Sequence, residues 1–256
     1  MSHSLVTTIR DLGRRRGRER RSLAVAEGVR LVEEAQAANV EIRGAVVSPA
    51  LEGTSRGKSL KVALHEAGVP IAELSDRELG ELADTEQPQG IIAVIAPRQW
   101  TLADIPLGPS AVVVVLDGVQ DPGNVGTIAR TALGLGAAGL VSLAGTVDLN
   151  NSKVLRGSMG ALFRLPAPAV EDAALLDWIR AGKIALWVAD AAGTPVSRMS
   201  VPDRLALVVG NEGAGARPAM VAAASERVSI PLSHGAESLN VAVATGILLH
   251  EVQRAR

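Results

Sequence analysis

Three segments of the chain place polar side chains and glycines directly after apolar runs. The first is Asp117-Gly-Val-Gln-Asp-Pro-Gly-Asn-Val-Gly-Thr-Ile-Ala-Arg130, which follows the apolar stretch 112–116. Asn124 can cap a helix there, and Arg130 lies six residues further on, one to two turns up that helix. The glycines would let backbone approach a ligand closely, although a helix cap and a surface arginine account for the same residues. The second segment, Leu207-Val-Val-Gly-Asn-Glu-Gly-Ala-Gly215, sets Glu212 in a Gly-rich turn after a strand. Open α/β sheets bind ligands at such turns, but exposed loop carboxylates are also common. The third runs from Ile230 through Pro-Leu-Ser-His-Gly-Ala-Glu to Ser238-Leu-Asn240 at the start of the last helix. Ser238 is a natural N-cap, and a Ser-x-Asn pair beside free helix N–H groups can hold a substrate or a carboxylate. Capping explains Asn240 less well. A fourth pattern, Gly134-Leu-Gly136-Ala-Ala-Gly139, has the letters of a dinucleotide fingerprint. That fingerprint needs a strand before it and a helix after it; here the order is reversed, so these glycines end a helix and turn the chain.

Composition narrows the chemistry. With no cysteine among 256 residues, a disulfide framework, a thiolate zinc site and a cysteine nucleophile are excluded. His3, His65, His234 and His250 show no ligand spacing, so no metal is expected. A net charge of −1 argues against nucleic acid, but its distribution argues otherwise. Residues 1–30 hold eight arginines against Asp11, Glu19 and Glu27, a local excess of five. Such a segment can bind phosphates through Arg14, Arg15, Arg18, Arg21 and Arg30; a solvated Arg-rich helix is the plainer alternative. No run approaches the roughly 20 apolar residues of a membrane span, and the N-terminus lacks a signal-peptide core. The expectation is a cytoplasmic protein without a membrane partner.

The elements that must position these residues follow an α/β pattern. The first half predicts strands at 23–26, 42–47, 69–74 and 90–96, with helices at 28–39, 60–67 and 75–83, the last opened by a Ser75/Glu78 capping box. Residues 98–110, with Pro106, Gly108 and Pro109, read as a linker. The second half predicts strands at 112–116, 140–143, 184–189, 205–209 and 228–230. Its helices fall at 124–135, 153–162, 173–181, from Pro218, and at 238–254. Two domains are expected, 1–97 and 111–256.

Taken in order and spacing, Asn124 to Arg130, Gly210-Asn-Glu-Gly213 and Ser238-Leu-Asn240 closely resemble the three signature motifs of the SpoU (TrmH-like) branch of the SPOUT RNA methyltransferases. Residues 151–166 resemble that family's connecting segment, and the likeness covers about 111–254. It implies a C-terminal α/β domain with a trefoil knot that works as a homodimer. S-adenosylmethionine would be held by Gly210, Ile230 and Leu239 with Leu232 beside them, and its methyl passed to a ribose 2′-hydroxyl. Arg130, Asn124, Glu212, Ser238 and Asn240 would form the catalytic set. A general-base role for Arg130 sits badly with the strong basicity of a guanidinium, so an electrostatic stabiliser and phosphate clamp is the preferred reading. His234 stands where a small residue is usual, and either touches RNA or caps a turn.

The first half resembles a small ribosomal-protein-like α/β substrate-binding domain through Ala26-Glu27-Gly28-Val-Arg30 and Gln87-Pro-Gln-Gly90. That architecture favours 23S ribosomal RNA over transfer RNA. A transfer-RNA enzyme, an antibiotic-resistance methyltransferase and a catalytically silent RNA-binding factor are the alternatives. With one Phe, three Trp and no Tyr, base stacking cannot lead recognition; arginine–phosphate contacts and RNA shape must.

Overall fold

The computed structural model describes residues 2–233 and 238–255, and the chain divides into two units. Met1–Arg98 and Asp148–Arg164 form one; Gln99–Val147 and Leu165–Arg256 form the other.

The first unit is built on a four-stranded mixed sheet. Its strands are β1 (Ala24–Glu27), β2 (Glu41–Val47), β3 (Ile71–Glu73) and β4 (Ile91–Ala96), in the order β1-β4-β2-β3. The run Ile91-Ile-Ala-Val-Ile95 is fully apolar because β4 is interior, antiparallel to β1 on one side and β2 on the other. The Arg-rich N-terminus makes two helices, α1 (Ser2–Leu12) and α2 (Arg15–Arg21). Ile9 and Leu12 of α1 bury against Val46, Ile92 and Val94 of the sheet. Helix α3 (Val29–Ala37) buries Val29, Leu31, Val32 and Ala35. Helix α4 (Ser55–Glu66) starts five residues ahead of its apolar stretch, because Thr54 caps it by accepting from Gly57 N–H. The Ser75/Glu78 capping box opens α5 (Asp76–Gly80).

The stretch 148–164 joins this unit through ion pairs Asp148–Arg18, Arg156–Glu27 and Arg164–Glu34. Its helix α7 (Ser152–Ser158) is shorter than the 153–162 expected, since Met159 and Gly160 take left-handed conformations (φ 50° and 85°) and end it.

The second unit holds five parallel strands in the order β6-β5-β8-β7-β9. They are β5 (Ala111–Asp117), β6 (Gly139–Ser142), β7 (Ala185–Pro195), β8 (Arg204–Gly210) and β9 (Glu226–Ser229). Every residue of β5 is buried, as a central parallel strand requires. Its helices are α6 (Pro122–Gly134), α8 (Asp172–Gly182), α9 (Pro218–Ala223) and α10 (Val241–Arg254). The stretch 99–110 belongs to this unit, and Ile105 is buried in its core beside Val113 and Val141. Gly134 closes α6, Gly136 turns the chain at φ 75° and Gly139 opens β6, so these glycines end a helix and lead into a strand. Register sets Asp117 opposite Gly210, so the loops after β5 and β8 leave the sheet side by side. Ligand sites of parallel sheets form at this carboxyl edge. No helix among the described residues is long and apolar enough to cross a membrane.

Candidate active site

Two helix starts differ from expectation, and the differences assemble the site. Asp121, not Asn124, caps α6: its Oδ1 accepts from Asn124 N–H at 2.7 Å. Pro122 at the first helical position needs no N–H partner, which moves the cap one residue ahead of it. The Asn124 side chain is thereby free, and its Nδ2 donates to Glu212 Oε1 at 3.0 Å. Likewise Asn240, not Ser238, caps α10, with Oδ1 accepting from Ala242 N–H (2.9 Å) and Val243 N–H (3.3 Å). Ser238 therefore lies outside the helix, and Asn240 Nδ2 donates to Asn124 Oδ1 at 2.9 Å. A carboxamide donates at one end and accepts at the other, so Asn240, Asn124 and Glu212 form one directed chain across all three segments.

Glu212 ends that chain as an acceptor. Desolvation raises its pKa, but hydrogen bonds from Asn124, its own N–H and those of Gln120 and Asp121 outweigh it and hold the carboxyl below its ordinary value. Arg130 stands apart: six residues at about 100° each turn it about 240° from Asn124 around α6. It is exposed and makes no ion pair among the described residues.

Beside the chain lies a cavity of about 660 Å³ whose walls include Gly210, Glu212, Ile230, Leu232, Ser238, Leu239 and Asn240. Gly210 is obligatory here, since a Cβ would stand 2.1 Å from Ala216 N and 2.2 Å from Gly215 C. Lining residues missed in the sequence include the polar Asn211 and Asp190. Asn211 sat unremarked inside the Gly-Asn-Glu-Gly motif. Asp190 was hidden because β7 was expected to end at 189, whereas it continues past an irregularity to Pro195. Asp190 pairs with Arg227 at 2.5 Å and accepts from Ala192 N–H at 2.8 Å; the latter chiefly holds its pKa low.

Of the five N-terminal arginines, Arg14, Arg15, Arg21 and Arg30 are exposed. Arg15 pairs with Glu19, and the more covered Arg21 pairs with Asp11. Arg18 departs from its expected surface role. It is 7 % exposed, binds Asp148 at 2.6 Å and donates to the carbonyls of Leu12 and Gly13, so it holds the fold together. His234 lies outside the described residues.

A parallel α/β unit with a pocket and a polar side-chain chain at its carboxyl edge has the layout of a ligand-binding α/β protein. Residues 111–250 match the SpoU rRNA methylase family, and residues 4–93 match the MRM3-like substrate binding domain. The chain belongs to the SpoU rRNA methylase family. It is 35% identical over 189 residues to the Bacillus subtilis (strain 168) 23S rRNA (guanosine(2553)-2′-O)-methyltransferase, covering 73% of this chain and 74% of that one. It is 30% identical to the Streptomyces viridochromogenes 23S rRNA (uridine(2479)-2′-O)-methyltransferase, covering 96% and 87%. The crystal structure of the SpoU methyltransferase AviRb from Streptomyces viridochromogenes in complex with AdoMet superposes with a TM-score of 0.89 at 29% identity, covering 96% of this chain and 95% of that one.

Proposed function

We propose that this protein transfers the methyl group of S-adenosylmethionine to a ribose 2′-hydroxyl of 23S ribosomal RNA. The observation that carries the reading is the Asn240–Asn124–Glu212 chain at the rim of a pocket with the right chemistry. Ile230, Leu232 and Leu239 offer apolar walls for an adenine, and Gly210 lets the 211–215 turn fold back tightly beside them. S-adenosylmethionine supplies an electrophilic methyl on a positively charged sulfur.

The remaining work falls to this chain's residues. The ribose oxygen gains a bond to the methyl carbon as the carbon–sulfur bond breaks and the hydroxyl proton leaves. Asn124 and Asn240, each with a second N–H beyond the chain, can orient that oxygen and offset its developing charge. The ionised Glu212 fixes Asn124 and favours positive charge beside it. Ser238, on the pocket wall, lies within the same neighbourhood for the ribose. Arg130 clamps an RNA phosphate with its guanidinium fork.

The Met1–Arg98 unit recognises the RNA through Arg14, Arg15, Arg21 and Arg30, and the second unit carries the family's knot. Assembly is a homodimer through the second unit. Val243 (54 % exposed) and Ile247 (37 % exposed), one turn apart on α10, leave an apolar strip that a second copy would cover. The protein acts in the cytoplasm, where ribosomal RNA is.

The test is incubation of the full chain with methyl-labelled S-adenosylmethionine and either protein-free 23S ribosomal RNA or transfer RNA. Label recovered as a single 2′-O-methylnucleoside from the ribosomal RNA is the expected result. Label on a base, or on transfer RNA alone, would overturn the reading.

A further inference from the structure

The Asn211 carboxamide makes three hydrogen bonds, and they determine its orientation. Its Oδ1 accepts from Gly213 N–H (3.0 Å) and Ala214 N–H (3.1 Å), so the other end must be the NH₂ group. That Nδ2 donates to Gly118 O at 2.9 Å. The first two bonds close the 211–215 turn, which is also clasped by the reciprocal backbone pair of Asn211 and Gly215. The third leaves the turn and grips a segment 93 residues earlier in the chain.

Gly118 is a firm anchor. It turns at φ 79°, its N–H donates to Thr146 Oγ1 at 3.0 Å, and that hydroxyl donates to Leu116 O at 3.0 Å. The neighbour of Asn211, Glu212, takes the same segment further along, where its Oε1 accepts from Asn124 Nδ2 at 3.0 Å. Two consecutive residues of one turn therefore hold both ends of 118–124, one as donor and the other as acceptor. Because Gly118 and Val119 are fixed in their own right, by Thr146 Oγ1 and by Val147 N–H, the Asn211 bond ties the Glu212 turn to a fixed point.

We propose that Asn211 is a positioning residue for methyl transfer: by holding Gly118 it aligns Glu212 with Asn124 at the pocket rim. This rests on the methyltransferase reading above. The role differs from shaping the turn, because the bonds that shape the turn use the opposite end of the same carboxamide.

Asn211→Asp and Asn211→Ser separate the two roles. Each can still accept from the Gly213 and Ala214 N–H groups and so keep the turn. Neither can donate to Gly118 O: an ionised Asp has no donor, and a Ser hydroxyl is too short. Turnover is measured per cofactor-binding molecule, with competent protein counted by calorimetric titration of S-adenosylmethionine, so partial unfolding does not enter the rate. Both variants should bind the cofactor within about threefold of the parent, while kcat falls about 10- to 100-fold with KM for RNA unchanged. The acid limb of the pH–kcat profile should also move to higher pH, because Glu212 loses the aligned donors that hold its proton affinity down. A kcat within about threefold of the parent in both variants would overturn the proposal. So would a cofactor affinity that falls by the same factor as kcat, which would make Asn211 a pocket-shaping residue. A parent chain that binds S-adenosylmethionine yet methylates no RNA would instead defeat the activity itself, before any variant is compared.

Discussion

Glu27 in the first unit and Glu212 in the second do the same mechanical job in different electrostatic settings. Glu27 accepts from the backbone N–H groups of Asp84 (2.9 Å) and Thr85 (3.2 Å) and from the Thr85 hydroxyl, pinning the loop that leads to β4. Glu212 likewise holds the first turn of α6, through the Asn124 side chain at 3.0 Å. Glu27 is 5 % exposed, and Arg156 supplies its countercharge at 3.4 Å. Glu212 is exposed, and among the described residues its partners are neutral donors. A buried, paired carboxylate is scaffold, because its charge is already answered. An ionised carboxylate held only by neutral dipoles still projects its field into the space beside it, here the pocket.

If that contrast is right, the two residues should fail in different ways. Glu27→Ala strands two backbone donors and the Arg156 guanidinium, and should cost about 3 kcal/mol of unfolding free energy in urea titration. Turnover per folded molecule should change little; an equal loss of turnover would erase the contrast. Glu212→Gln should do the reverse, lowering kcat about 100-fold, or about 2.7 kcal/mol of barrier, with the melting temperature nearly unchanged.

The pH dependence follows from the sign of the shift. The folded-state pKa of Glu212 lies below its unfolded value, so the aligned, ionised site is fully present above the ordinary carboxylate range. It is lost as pH falls through the lower folded value. Methyl transfer by the parent should therefore show no Glu212 limb near neutrality, and an ionisation at pH 6–7 that vanishes in Glu212→Gln would contradict this. The smallest effects belong to the solvated arginines. Arg14→Ala or Arg30→Ala should weaken RNA binding a few-fold and lower the slope of log K against log salt by about one each. Arg18→Ala, by contrast, should lower stability through loss of its buried pair with Asp148, and its salt slope should match the parent's.

Where the sequence reading succeeded, the determining forces were short-range. The Ser75/Glu78 box acts within one helical turn. The apolar runs at 91–96 and 111–116 announce interior strands whatever follows them. The glycines at 134–139 were set aside as a nucleotide loop because of their immediate neighbours alone. The misplaced caps show the limit of this. Asp121 and Asn124, like Ser238 and Asn240, are all good capping types within four residues of each other. Local preference cannot choose among them.

The order of the motifs, the strands and the polar residues available for chemistry were thus set by sequence alone, through hydrophobic pattern and propensities that act over a few residues. Tertiary structure decided which end of each asparagine faces which partner, and it took Arg18 inward to Asp148, 130 residues away. It also drew 148–164 into the first unit and left Glu212 without a cation among the described residues. The reason is physical: a hydrogen bond between residues about a hundred positions apart exists only once strand register has brought their loops together, as Asp117 beside Gly210 does here.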